Sequence, residues 1–270
     1  MWKKYYIYKE QISYDGGQTW SDTGNQTISG DPIGEYETEE ECMANPVKAI
    51  LTLSDGSRVE IPGSGDLVSG ETLPYSATCV SAEMTTACTT IGGNAFVSFS
   101  ELTSVTIPDS VLSIGDFAFS ECSGLTSVNI GNGVTNIGDN AFQVCSSLTS
   151  ITIPSGVTSI GTGVFYLCRS LTSVTIPSEV FEIGNYAFGF CTSLTSITIP
   201  DSVTSIGSEA FLYCSGLTSI TCEATTPPTL GIRAFDNANN CQIYVPAASV
   251  NTYKTATYWS NYSSRIQPIP

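Results

Sequence analysis

The sequence predicts an α/β solenoid, built from short strands that are joined by half-helix or 3-10 turns. The first observation is an Ile-Gly pair that recurs six times at a fixed step of 23 residues, from Ile91 to Ile206. The second is a phenylalanine five residues after each isoleucine, and the third is a leucine eleven residues after it. A fixed period of this length marks a repeat fold, in which each coil buries its apolar face only against its neighbours.

The first piece of each repeat is predicted to be a short strand. Its L-x-x-L-x-L spacing, typical of leucine-rich repeats, turns Leu102, Val105 and Ile107 inward. Ser104 and Thr106 then point outward. The proline that follows ends the strand, because proline has no N–H group to donate to a ladder.

The second piece is predicted to be a short helical turn. The residue after each Ile-Gly pair is in most repeats a good helix N-cap, and it precedes an x-Ala-Phe-x-x-Cys segment. These predicted caps are Gly93, Asp116, Asp139, Thr162, Asn185 and Ser208. One coil of the solenoid is therefore predicted to contain a strand, a turn, a half-helix and a segment that leads back to the next strand.

The complete repeat, I-G-x-x-A-F-x-x-C-x-x-L-T-S-[VI]-T-I-P-x-x-V, resembles the BspA-like leucine-rich repeat. That family occurs in surface proteins of bacteria that colonise mucosal sites, and several members are linked to adhesion to host matrix proteins. The resemblance covers residues 90–222 and implies an α/β leucine-rich-repeat solenoid, a scaffold that hosts many partners. Three positions depart from the pattern: Phe99 replaces cysteine, Gly131 replaces proline and Val164 replaces alanine.

The N-terminal part of the chain is not repetitive. Residues 1–46 are expected to form a β-rich unit, in which residues 5–14 alternate imperfectly as one strand. The run S-x-D-x-G-x-T-W at residues 13–20 is similar to the Asp-box of sialidase propellers and of many unrelated β proteins. In those families the box is a hairpin turn away from the active site, so the resemblance implies that Asp15 holds the loop backbone.

A hairpin and an N-terminal cap are expected in residues 47–86. Two apolar runs within residues 49–61 flank the turn sequence Ser-Asp-Gly-Ser, which favours a β-hairpin.

The six repeats are assigned to residues 87–222, and a C-terminal capping segment to residues 223–270. Two consecutive prolines insert one residue, so Phe235 follows Phe211 by 24 positions. Residues 247–266 are predicted to form a helix with one apolar stripe. Solenoids need such caps because their end coils would otherwise expose apolar surface.

The composition excludes several classes of function. The chain has 9 Lys and Arg against 25 Asp and Glu, a formal net charge of −16, and only Arg169 and Arg233 as cations between Arg58 and Lys254. Nucleic acids and anionic membranes require clustered cations, so neither is an expected partner. Without histidine the chain cannot form a Ser-His-Asp triad, a Cys-His dyad or a His-ligated zinc site.

We therefore expect no enzyme, no cofactor and no metal site. Carboxylate-pair hydrolysis remains formally open, but most acidic residues lie in the first 60 residues or singly on repeat turns. The acidic stretch at residues 35–41 is interpreted as a solvated turn or a helix start, with calcium binding as the alternative.

Five cysteines follow the repeat and are predicted to be a column of buried, reduced thiols. They are Cys122, Cys145, Cys168, Cys191 and Cys214. No C-x-x-C spacing indicates a metal or redox site. The sequence allows one disulfide among the remaining cysteines and does not assign its partners. These cysteines are Cys42, Cys79, Cys88, Cys222 and Cys241.

Localisation is predicted from what the sequence contains and lacks. It has no apolar run of the roughly 18 residues that a membrane span needs. Its start is too polar for the apolar region of a signal peptide, so either a signal has been removed or export follows another route. The first alternative places the protein outside the cell or on its surface. The second fits a virion component released by lysis.

The variable positions of the repeat indicate where a partner binds. The two residues between Phe and Cys differ in every repeat, and in the third to sixth repeats they include an aromatic or aliphatic residue. We predict one exposed stripe from these positions and the neighbouring Tyr186, and exposed aromatic clusters suggest an interface. The stripe consists of Tyr166, Leu167, Tyr186, Phe190, Leu212 and Tyr213.

The sequence thus favours a non-catalytic adhesion or recognition module that binds a protein or glycan ligand at a bacterial surface. The alternative is a bacteriophage tail or fibre component that binds a receptor or another virion protein. Self-association is a further expectation for either function.

Overall fold

The structure, a computed structural model, describes residues 5–8, 11–14 and 46–270. The first strands, β1 (Tyr5–Tyr8) and β2 (Gln11–Tyr14), form an antiparallel pair with Tyr5 opposite Tyr14. The prediction of one continuous strand is therefore wrong, because pairing gives both halves backbone partners that a lone strand lacks. The Asp-box beyond Tyr14, the acidic stretch at residues 35–41 and Cys42 lie outside the described residues.

The predicted hairpin before the repeats is confirmed. It consists of β3 (Val47–Leu53) and β4 (Arg58–Pro62), with Ile50 opposite Glu60. Asp55 Oδ1 accepts hydrogen bonds from the Ser57 N–H at 2.8 Å and the Ser57 hydroxyl at 2.6 Å, which closes the turn. Strand β3 also pairs antiparallel with β6 (Cys79–Met84), so the hairpin covers the edge of the solenoid.

The predicted strand of each repeat lies in one ladder of parallel strands, which hydrogen bonding divides into three sheets, with breaks after Ser127–Ile130 and after Ser173–Thr175. Leu102, Val105 and Ile107 are buried, Ser104 and Thr106 are more exposed, and Ser104 faces Ser127 of the next coil, as a 23-residue step requires. After β6, the strands of this ladder are β8 (Ser104–Ile107), β10 (Ser127–Ile130), β12 (Ser150–Thr152), β14 (Ser173–Thr175), β16 (Ser196–Ile199), β18 (Ser219–Cys222), β20 (Gln242–Val245) and β21 (Ile266–Pro268).

A second ladder, which the sequence did not predict, runs through the Ile-Gly positions. Each isoleucine lies inward in a very short strand, and these strands pair in parallel in two sheets, one that ends with Asn136–Ile137 and one that begins with Ser159–Ile160. They are β5 (Gly65–Leu67), β7 (Cys88–Ile91), β9 (Ser113–Ile114), β11 (Asn136–Ile137), β13 (Ser159–Ile160), β15 (Glu182–Ile183), β17 (Ser205–Ile206) and β19 (Thr229–Leu230). Each coil thus has two strands on different sides of the core.

The segment after each Ile-Gly pair is a chain of turns rather than a half-helix. The Ser120 N–H donates within the coil to the Phe117 carbonyl at 3.1 Å, an i→i+3 bond of the 3-10 type. The Phe119 N–H donates instead to Ala141 of the next coil, at 2.8 Å. Two positions in each turn have positive φ, as at Phe117 (55°) and Glu121 (63°), and this prevents a continuous helix.

The N-cap interpretation is wrong for the same reason. Asp116 Oδ1 accepts a hydrogen bond from the Asp139 N–H at 2.9 Å, and Asp139 Oδ1 accepts one from the Thr162 N–H at 2.7 Å. These side chains therefore join each coil to the next one and cap no helix.

A stack of phenylalanines fills the core beside these turns. The rings of consecutive coils lie nearly parallel, with centroid separations from 5.1 Å (Phe96–Phe119) to 5.9 Å (Phe142–Phe165). Phe235 extends the stack by one ring beyond the six repeats, 5.5 Å from Phe211. The coil geometry therefore continues into the segment predicted as a C-terminal cap.

Aromatic side chains close the C-terminal end. The single predicted helix is wrong in extent, because the segment contains a 3-10 turn (Ala247–Ser249), an α-helix (Val250–Thr255), a 3-10 helix (Trp259–Arg265) and β21. Tyr258, with φ at 61°, separates the two helices. Tyr253 and Trp259 are buried there, and each donates a 2.8 Å hydrogen bond to a carbonyl of the preceding coil.

A shorter helical segment lies at the N-terminal end of the solenoid, before the first repeat. It comprises an α-helix (Ser69–Thr72) and a 3-10 turn (Leu73–Tyr75), and the Thr72 hydroxyl donates to the Ala95 carbonyl of the first repeat.

Candidate interaction surface

The column of repeat cysteines is a structural element and offers no reactive thiol. All five side chains are buried, as predicted, and the Cys168 Sγ donates to the Phe142 carbonyl at 3.2 Å. Burial raises the pKa of the Cys168 thiol to about 12. Cys79, Cys88, Cys222 and Cys241 are likewise free thiols in the structure.

We expect Cys168 to resist alkylation in the native protein at pH 8. With a pKa of about 12, only on the order of one thiol in ten thousand is ionised at that pH, and the thiolate is the reactive form. Labelling in native buffer and in denaturant, followed by peptide mass mapping, measures the difference. Rapid labelling of the native Cys168 peptide would contradict the buried column.

Residues 46–270 contain no group of three or more Cys, Asp or Glu side chains that could hold a metal ion. No helix among the described residues is both long enough and apolar enough to cross a bilayer.

Four predicted stripe residues form a continuous cluster of rings, which we call the aromatic patch: Tyr166, Tyr186, Phe190 and Tyr213. Tyr166 lies edge-on to Tyr186 at 5.8 Å and to Phe190 at 5.6 Å between centroids. Phe190 stacks on Tyr213 at 4.9 Å with 22° between the ring planes. Tyr186 and Tyr213 are 38% and 43% exposed. The patch therefore joins three consecutive coils on the turn face.

The structure places the two aliphatic stripe residues differently. Leu167 is half-buried beside Tyr166. Leu212 is only 4% exposed, so the prediction that it belongs to an exposed stripe is wrong. Side chains at its repeat position lean over the next coil: the Tyr166 ring covers Gly189, where an added Cβ would lie 3.1 Å from Tyr166 Cδ2. Leu212 has the same repeat position as Tyr166, so its side chain also points toward the next coil and is buried there.

The backbone of the patch is costly for large side chains. Tyr186, Phe190 and Tyr213 have φ values of 56°, 61° and 57°, in the left-handed region that disfavours bulky residues. The repeat positions equivalent to Tyr186 hold Asn94 and Asn140 in other coils, and asparagine tolerates this conformation well. The cost is of order 1 kcal/mol at each position. Large residues at positions that suit asparagine are the signal by which sequence alone could have singled out this patch.

Two arginines flank the patch. Arg233 pairs with Glu209 (Nη1–Oε1 3.2 Å) and with Asp236 (Nε–Oδ2 3.7 Å). Arg169, three residues beyond Tyr166, is exposed, and no carboxylate of the described residues lies within ion-pair distance of it.

Comparisons with known proteins agree on the fold. A model of the BspA type leucine rich repeat region matches residues 75–194 and 181–268. A leucine rich repeat protein of T. pallidum (TpLRR) is 26% identical, with a TM-score of 0.58 over 66% of this chain and 84% of its own. A leucine rich cell surface protein of Faecalibacterium prausnitzii A2-165 is also 26% identical, with a TM-score of 0.44 over 71% of this chain and 70% of its own.

A leucine-rich repeat protein of Bacteroides ovatus is 21% identical, with a TM-score of 0.42 over 90% of this chain and 69% of its own. A comparison with curated proteins gives no match. The repeat model extends from residue 75 to residue 268, well over half of the 270 residues. With the two strand ladders, the phenylalanine stack and the cysteine column already described, this match shows that the chain belongs to the BspA-type leucine-rich repeat family.

Proposed function

We propose that the chain is a non-catalytic recognition module at a bacterial surface, and that the aromatic patch is its contact surface for a protein or glycan. The family is typically a binding scaffold, and leucine-rich repeat proteins generally bind proteins. The BspA-type family consists of bacterial surface leucine-rich repeat proteins, and membership of this family is the reason for the proposed location.

The observation that carries the proposal is the patch itself. Tyrosine and arginine are the residue types that contribute most to binding energy at protein interfaces. Here Tyr186 and Tyr213 are about two-fifths exposed and lie in a backbone conformation that favours smaller residues. Because the backbone at both positions suits asparagine better than tyrosine, the large exposed side chains favour a role outside the fold.

The proposal is tested on arrays of host matrix proteins and glycans with the variant Tyr186→Asn/Tyr213→Asn. We expect it to fold with nearly unchanged stability, because relief of the strained backbone offsets the loss of the contacts between the rings. We expect it to lose at least about tenfold in affinity for any array partner of the unmodified chain, which corresponds to about 1.4 kcal/mol.

The matched control is Phe117→Asn. Phe117 is 39% exposed and has φ at 55°, and it occupies the same repeat position as Tyr186, three coils earlier. It should keep full binding. Equal loss in both variants, or no loss in either, would show that the patch is not the contact surface.

A further inference from the structure

We infer that the solenoid contains a hinge between the coil of residues 126–138 and the coil of residues 149–161. It opens along the strands while the turns stay joined. We call this contact between the two coils the hinge interface. Within residues 46–270 it is the one interface between consecutive coils at which both strand ladders are interrupted. The inference goes beyond the proposed function and does not depend on it.

Three backbone hydrogen bonds that elsewhere join the strand sides of neighbouring coils are missing at the hinge interface. Before it, they bind to the preceding coil at 2.9, 2.9 and 2.8 Å, and their donors are the N–H groups of Thr126, Thr135 and Gly138. After it, the bonds are present again at 3.0, 2.9 and 2.7 Å, from Thr172, Phe181 and Gly184. At the interface itself the same repeat positions are Thr149, Thr158 and Gly161. Within the described part of the chain, none of these three N–H groups donates to a backbone carbonyl of the preceding coil.

The turn side of the same interface keeps its hydrogen bonds. The N–H groups of Asn140, Phe142 and Val144 donate to carbonyls of the next coil at 2.8, 3.0 and 2.7 Å. The rings of Phe142 and Phe165 nevertheless lie 5.9 Å apart, the widest separation in the phenylalanine stack. Because one side of the interface is bonded and the other is not, the two coils can rotate apart about an axis along the turns.

The gap on the strand side reaches the core. Val128 and Ile130 hold inward positions of their strand, yet both are only half-buried. The residues at the same positions in the coils on either side are at most 5% exposed, and they are Val105, Ile107, Ile151 and Ile153. Incomplete cover of apolar side chains and missing hydrogen bonds between coils both indicate a low free energy of local opening.

Two departures from the repeat pattern lie at this interface and account for the gap. Gly131 replaces proline, and its N–H donates to the Ile107 carbonyl at 2.8 Å, a bond that proline cannot form. An added Cβ at Gly131 would lie 2.4 Å from the Pro108 carbonyl carbon, so glycine lets its coil approach the preceding coil closely. The coil is thereby drawn away from the one that follows. In that following coil the buried Val164 replaces alanine and adds two methyl groups to the core.

The hinge divides the solenoid into two bodies, residues 46–138 and residues 149–270. All four rings of the aromatic patch belong to the second body. The Tyr166 carbonyl accepts the hydrogen bond from Val144, so the patch begins at the hinge axis. Bending therefore reorients the N-terminal coils relative to the patch and leaves the patch itself unchanged.

The first experiment measures hydrogen exchange of the backbone amides of the full chain by NMR. We expect protection factors at least about tenfold lower for Thr149, Thr158 and Gly161 than for their equivalents one coil earlier and one coil later. Those equivalents are matched controls, because they occupy the same repeat positions. The turn-side donors of the hinge interface should stay protected. Equal protection in all three coils would overturn the hinge.

The second experiment distinguishes motion from a fixed gap, by measuring distance distributions between two spin labels. One labelled pair spans the hinge interface, with Thr106→Cys and Thr198→Cys. The control pair lies within the second body, with Thr152→Cys and Tyr244→Cys. Both pairs hold one repeat position four coils apart, about 19 Å. Both also cross the ladder break after Ser173–Thr175.

The labels are introduced in a Cys42→Ser background, because the other nine cysteines are buried. We expect the distribution across the hinge interface to be about twice as wide as that of the control pair, with a tail toward longer distances. Equal widths would show that the gap is fixed and would overturn the hinge, even if the three N–H groups exchange rapidly. Neither result changes the test of the proposed function, which depends on the patch variants alone.

Discussion

Replacing Phe165 with alanine is expected to lower the free energy of unfolding by about 3 to 5 kcal/mol. Phe165 is fully buried in the middle of the phenylalanine stack, 5.9 Å from Phe142 and 5.4 Å from Phe188 between centroids. Removing its ring leaves a cavity that the neighbouring coils cannot readily close, because the turns of consecutive coils are hydrogen-bonded to each other: the Phe142 N–H donates to the Val164 carbonyl at 3.0 Å, and the Phe165 N–H donates to the Ala187 carbonyl at 2.8 Å. The aromatic contacts on both sides are lost as well.

The position of Phe165 adds a second expected effect. In a solenoid each coil contacts only its neighbours, so a central cavity weakens the coupling between the coils before and after it. The unfolding transition in denaturant should therefore become broader, and its midpoint should move to a lower denaturant concentration. The coils before Phe165 and the coils after it can then unfold separately. The control is Phe181→Ala, in the next coil, because Phe181 is 48% exposed. A loss as small as that expected for Phe181→Ala, under about 1 kcal/mol, would contradict the stacked core.

The sequence predicts the inward positions of the repeat well because their chemistry is periodic. Leu102, Phe119 and Cys122 each repeat at a constant step, and residues that stack on identical neighbours have little freedom to vary. The fold class and the buried cysteine column follow from that regularity and are confirmed.

The features that the sequence did not predict depend on backbone conformation between coils. The strand Ser113–Ile114 has two residues, too few to show the alternation that identifies a strand. The sequence favours a helix cap at Asp116, because helix caps and hydrogen-bond acceptors between coils use the same side chains. Only the positive φ values that follow distinguish the two roles.

The sequence predicts most of the residues of the candidate surface, but it does not predict where each side chain lies. Variation among repeats identified Tyr166, Phe190 and Tyr213 as positions that the fold leaves free, and their rings are in contact in the structure. The same criterion selected Leu212, which is buried. A variable position is therefore not always an exposed one, because a side chain that leans over the next coil meets a neighbour that also varies.

Gly184→Ala is expected to destabilise the chain by about 3 kcal/mol, the upper part of the usual range for overpacking. Its φ is not positive, so conformational freedom is not the reason for glycine here. An added Cβ would lie 2.6 Å from the Gly161 carbonyl carbon and 2.8 Å from the Thr162 nitrogen, both backbone atoms of the preceding coil. Side-chain rotation cannot relieve such contacts, so the two coils would have to separate.

Separation at this point would also break the second ladder, because the Gly184 N–H donates to the Ile160 carbonyl at 2.7 Å. The matched control is Gly70→Ala, in the helix Ser69–Thr72, where an added Cβ has no neighbour within 4 Å. That change should leave stability the same or raise it by up to about 1 kcal/mol, because alanine is the better helix former. Thermal unfolding of both variants decides the matter. Equal melting temperatures would contradict the conclusion that consecutive coils approach each other too closely at the Ile-Gly position for any side chain larger than that of glycine.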